Sequence, residues 1–93
     1  MDIGQLPDGL TLARTTPTFD ETSVPAGLLR AHRVADGVWG RVMVYSGSLT
    51  LHFDDDTGKS HLLESGNTAI LAPARPHHVE LDGPVTFAVE FHR

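Results

Sequence analysis

From Val85 to His92 the chain sets Val85, Phe87, Val89 and Phe91 on one parity and Thr86, Ala88, Glu90 and His92 on the other. Only an extended backbone turns every second side chain to the same side, so this run predicts a strand with one face in a core. No helical period competes with it. Shorter β-type runs precede it at 28–34, 39–45, 49–53, 60–63 and 68–71. Turn chemistry separates them: Asp36-Gly37, Ser46-Gly47-Ser48, the polar loop 54–59, Ser65-Gly66-Asn67 and Asp82-Gly83-Pro84. Short strands at this spacing, without a convincing amphipathic helix, predict an all-β, antiparallel sandwich or barrel. Residues 1–27 carry Pro7, Gly9, Pro17, Pro25 and Gly27 and read as an N-terminal arm with the first strands. The barrel proper is expected over 28–93, the whole forming a single domain.

With no cysteine in 93 residues, disulfides and thiolate ligands are excluded, so any metal must sit on His, Asp or Glu. A formal charge of -5 repels nucleic acid and anionic membranes alike, and neither is expected as a partner. No stretch approaches the roughly eighteen apolar residues of a membrane span, and the start lacks the basic and apolar pattern of a secretory signal. The expected location is the cytoplasm.

Two histidines follow the prolines of Pro73-Ala74-Arg75-Pro76, in the run His77-His78-Val79-Glu80-Leu81. In a regular strand His77 points with Val79 and Leu81 into the core, whereas His78 and Glu80 point out. An inward imidazole must be hydrogen-bonded or bind a metal, and a metal asks for roughly three or four donors. His52 and His92 alternate against apolar neighbours and are expected on the outer face. His32 lies in a run apolar on both parities, so periodicity does not place it. Arg41, in Trp39-Gly40-Arg41-Val42, is a cation beside an apolar strand that must meet an acid or an anionic ligand. Ser46 and Ser48 flank a tight-turn glycine, where serine is ordinary, and no nucleophile elbow, dinucleotide fingerprint, phosphate loop or zinc-protease motif is present. The three aspartates 54–56 read as a solvated loop tip.

The segments Thr16 to His32, Gly37 to Leu49, Pro76 to Glu80 and Val89 to Phe91 together resemble the TehB/YeaR-like family. These are small bacterial cupin-like domains, found alone or fused ahead of the methyltransferase of tellurite-resistance proteins. The resemblance spans nearly the whole chain and implies a double-stranded β-helix, or jelly roll. It also implies that His32, Arg41, His77 and Glu80 match recurrent family positions. Of the two cupin motifs, the second is partly kept in Gly66, Pro73, Pro76 and His77. The first keeps His32 but has Val34 where a second histidine would stand, and Val38 or Trp39 where the glutamate would stand.

These readings converge on a cupin-like barrel whose pocket gathers His32 and His77 around a divalent ion, zinc or nickel before iron, with Trp39 and Arg41 at its wall and Glu80 nearby. A third donor would come from Glu80, His78, water or a partner chain. No organic cofactor is expected; the ligand is a small molecule or small anion, and the resemblance implies a role in tellurite or nitrogen-oxide stress. The rival readings are a sensing module without metal and a metal-dependent oxygenase- or isomerase-like enzyme; no residue is assigned a catalytic role. A core this small also gains from self-association, so a homodimer is expected. Size-exclusion chromatography at micromolar concentration should give about twice the 10.1 kDa mass of one chain, and elution at the single-chain mass would refute the dimer.

Overall fold

The computed structural model describes residues 2–93, and its regular secondary structure is almost wholly strand. In chain order they are β1 (Asp2–Ile3), β2 (Leu12–Thr15), β3 (Phe19–Asp20), β4 (Trp39–Phe53), β5 (Ser60–Glu64), β6 (Thr68–Leu71) and β7 (His77–His92). Among the described residues a single 3-10 turn occupies Ala26–Leu29. Apart from the parallel β1–β6 pair, all strand pairs are antiparallel. No helix among the described residues is long and apolar enough to cross a membrane.

β4 and β7 are far longer than the sequence reading expects, at 15 and 16 residues. They pair antiparallel from Trp39 with His92 to Phe53 with His77. The predicted turns at 46–48 and 82–84 do not end them. These signals lie opposite one another, since Gly47 registers with Val85, and the register shifts on either side of Gly47. Turn chemistry on both strands at the same place bends the ribbon instead of breaking it, and a bulge there accommodates Pro84, which has no N–H to donate. The parity of β4 records the extra residue. Val42 and Val44 are buried before the bend, whereas Leu49, Leu51 and Phe53 are buried after it.

The bend gives two half-sheets that share one ribbon. In the first, β6 pairs with Gly40–Met43 of β4 and carries β1, while β2 and β3 pair along the last part of β7. In the second, β5 pairs with Ser48–His52 of β4, and the start of β7 meets His32 in an isolated bridge. Their inner faces form one core, with Val42, Val44 and Phe87 from the first half joining Leu49, Leu51 and Leu63 from the second. Each such side chain contributes about 1.5–3 kcal/mol on full burial. Phe19 of the N-terminal segment reaches this core and packs edge-on against Phe87, ring centroids 5.7 Å apart.

The strand expected over 28–34 does not form. Pro25 starts the 3-10 turn, whose Leu28 N–H donates to the Pro25 carbonyl, and extended pairing is limited to His32. The aspartate loop also differs from a merely solvated tip. Asp55 accepts from the Thr57 backbone N–H at 3.0 Å and from Nε of Arg75, whose guanidinium carbon lies 3.5 Å from the centroid of the Phe53 ring. The Arg75 bond, followed by those from Thr57, holds the Asp55 carboxyl down at about 2.

Gly47 has φ +71, and a Cβ there would lie 2.0 Å from the Pro84 carbonyl oxygen. Backbone strain and overlap therefore act together. Gly47→Ala should lower stability by about 3 kcal/mol or more in urea unfolding. Gly58→Ala, also at positive φ but with nothing within 4 Å, should cost only about 1 kcal/mol; equal losses would show that the ribbon is not tightly packed at its bend.

Candidate functional site

Between the inner face of the sheet and the N-terminal segment lies a cavity of about 430 Å³. Its wall is mainly apolar, with Val42, Val79 and Phe87 from the sheet facing Pro17 and Leu28 from the segment. His32 and His77 also line it, as do Arg14 and Arg33.

The two histidines are brought together by their backbones before their rings meet. His32 N–H donates to the His77 carbonyl at 3.0 Å and His77 N–H to the His32 carbonyl at 2.9 Å, a reciprocal pair that fixes the facing residues. The turn ahead of His77 is pinned on both sides. Ala74 N–H donates to Val34 and Asp54 N–H to Pro76, while Ala74 itself sits at φ +61. The rings then lie edge to face, their centroids 4.2 Å apart and planes inclined by 64°.

Each ring binds the carbonyl two residues before it: Nδ1 of His32 lies 3.2 Å from Arg30 O, and Nδ1 of His77 lies 3.0 Å from Arg75 O. A carbonyl only accepts, so Nδ1 carries a proton in both rings, and in the neutral imidazole each Nε2 keeps a lone pair. Neither Nε2 has a hydrogen-bond partner among the described residues, where no buried side-chain nitrogen or oxygen lacks one. The His77 Nε2 therefore opens onto the cavity although the residue is only 1% exposed. Burial lowers the His77 pKa from 6.5, and charge on His32 would lower it further, while the Arg75 carbonyl acts in the opposite sense.

The other sequence candidates lie elsewhere. Trp39 and Arg41 share the outer parity of β4, and Arg41 approaches Glu90 at 3.8 Å, the structural ion pair that a cation in this position ordinarily finds. Glu80 is exposed on the outer face, where it meets Nε2 of His52 at 2.8 Å. His78 faces the same way, 2.8 Å from Asp54 and stacked on His52 with centroids 4.7 Å apart. No bulge between His77 and Leu81 turns Glu80 inward: the register with β4 is unbroken there.

The donor set at the cavity is thus two imidazoles. Among the described residues no group of three or more His, Asp and Glu side chains is placed to hold a metal ion. Val34, at the position where the cupin pattern has its second histidine, is 7% exposed and does line the cavity, but offers no donor. Sequence reasoning missed Arg14 and Arg33. Four residues of β2, all exposed, give no periodicity to read, and Arg33 falls where the expected strand is absent.

A family model described as the TehB-like domain matches residues 14–89. The chain belongs to the TehB-like family. Among solved structures, this TehB-like chain is similar to a protein of E. coli strain K12, with TM-score 0.86 and 25% identity over 98% of this chain and 97% of that one. It is also similar to TehB from Haemophilus influenzae, with TM-score 0.81 and 19% identity over 91% of this chain but 32% of that one, so it spans about a third of that protein. A cupin_2 domain of an XRE family transcriptional regulator from Enterobacter cloacae aligns with TM-score 0.58 and 19% identity, over 85% of this chain and 96% of that one. No curated protein matches. The fold of the TehB-like chain is accordingly all-β and cupin-like.

The buried histidine makes the stability of this TehB-like domain depend on pH. Below 6.5 the unfolded chain takes up a proton at position 77 before the folded chain does, so the contribution is complete above 6.5 and is lost as pH falls toward the folded value. The Tm should drop between pH 7.5 and pH 5, and His77→Gln should flatten that slope; an unchanged slope would show that other groups set it.

Proposed function

We propose that this chain is a small cytoplasmic binding domain, active as a homodimer, that takes a small anionic ligand into its cavity, with His32 and His77 accepting from an O–H or N–H donor of that ligand. The observation that carries this reading is the tautomer lock: both Nδ1 atoms are held by backbone carbonyls, leaving two lone pairs beside an apolar space. Pockets of this kind, mostly hydrophobic with a few convergent polar groups, are typical small-molecule sites. The family resemblance supports, as part of this proposal, a role for the binding in tellurite or nitrogen-oxide stress.

The same two nitrogens suit a divalent ion such as zinc or nickel, because carbonyl-fixed Nδ1–H groups are the usual outer support of metal-bound imidazoles. Such an ion would add positive charge for an anion to bind. Two imidazoles do not make the three-ligand set of a catalytic zinc centre, and Glu80 and His78 face away. An oxygenase- or isomerase-like activity would therefore need a donor from a partner chain, and binding without turnover is the better-supported reading.

Metal analysis and titration test the histidine pair. Metal-free protein should bind about one equivalent of zinc or nickel, and either His32→Ala or His77→Ala should weaken this about ten-fold or more, the equivalent of at least 1.4 kcal/mol. Unchanged affinity in both variants overturns the metal assignment. Oxygen uptake with added ferrous iron should stay at background, and sustained uptake would favour the enzyme reading.

A further inference from the structure

We infer that the ligand is an apolar organic acid: a ring system or short chain seated on the hydrophobic wall, its carboxylate on Arg14 and Arg33, and a hydroxyl or N–H donor turned to His32 and His77. This rests on the binding reading above and narrows its ligand class.

Three observations carry it. The first is the wall, whose apolar side chains offer nothing to replace the hydration of a bare inorganic oxyanion. Its size is also suited to an organic body. A cavity of about 150 Å³ holds benzene, so one of about 430 Å³ has room for two rings.

The second is the pair of arginines. Ion pairs among the described residues engage Arg41 and Arg75; Arg14 and Arg33, both exposed where they line the cavity, have no acidic partner, as is also true of Arg30, Lys59 and Arg93 away from it. The Arg14 guanidinium carbon lies 4.9 Å from the centroid of Phe91, which lines the same cavity, so the cation is held at the wall by an aromatic face. In a chain of net charge -5, two cations without acids at one cavity favour an anionic ligand there.

The third is the histidine pair itself. With both Nδ1 atoms bonded to carbonyls, the free Nε2 atoms are acceptors, which repel a carboxylate and attract a donor. The acid group is thereby directed to the guanidinium groups and a separate O–H or N–H to the imidazoles.

Four probes test this: 6-hydroxy-2-naphthoate, the uncharged 6-hydroxy-2-naphthamide, phosphate and tellurite, each titrated against the full chain by calorimetry. The naphthoate should bind about ten-fold or more tightly than the amide, a charge-assisted contact being worth at least one such factor. Arg14→Gln combined with Arg33→Gln should remove that preference, with the circular dichroism unchanged. Equal affinity for acid and amide, or a preference that survives the double substitution, overturns the organic-acid assignment. Binding of phosphate or tellurite without either naphthalene compound overturns it as well, but leaves the broader anion-binding reading standing. If none of the four binds, or if Leu28→Trp at the cavity wall leaves binding intact, both readings fall.

Discussion

Antiparallel pairing between β4 and β7 is the interaction on which the rest of the molecule depends. It spans both strands from end to end, and each remaining strand attaches to this ribbon or to a strand already on it. A flat ribbon of this length would expose one whole face. The bend at Gly47 folds it over so that its two halves shelter the same side chains, and a chain of 93 residues thereby obtains one continuous core without disulfides. The bend is local in sequence, yet it decides which parity faces inward on either side of it.

The cavity follows from the same geometry. The outer flank of β7 is covered near its end by β2 and β3, and at its beginning only by the bridge to His32. The N-terminal segment thus crosses the inner face of the sheet without filling it. What remains is an apolar space with an imidazole pair on its wall. The cupin pattern supplies more donors at this place; in this chain a buried valine at position 34 leaves the pair on its own.

The sequence made the all-β class and the inward face of His77 legible because both depend on a two-residue period, the most local of signals. Val85, Phe87 and Val89 are buried as their parity requires, and Glu80 is exposed as its parity requires. The continuity of β4 and β7 was hidden because turn residues have the same chemistry whether they reverse a chain or bend a paired ribbon; only the facing strand decides, and it lies about forty positions away in the chain. Family resemblance brought Glu80 forward as a site residue, and Arg41 was raised both by it and by its apolar neighbours, but the period of β4 and β7 turns both side chains away from the cavity. Arg14 and Arg33 gave no periodic signal, since their positions are set by contacts of the N-terminal segment with β7 and by a single bridge.

Arg75 links the hairpin after β4 to the histidine pair without touching the cavity. Its guanidinium is gripped by Asp55 and the face of Phe53, while its main-chain oxygen fixes the tautomer of His77. The acidic loop therefore works as a remote clamp on imidazole orientation. Exchanging or lengthening that loop would retune the cavity's chemistry from outside its wall, with every cavity residue still in place.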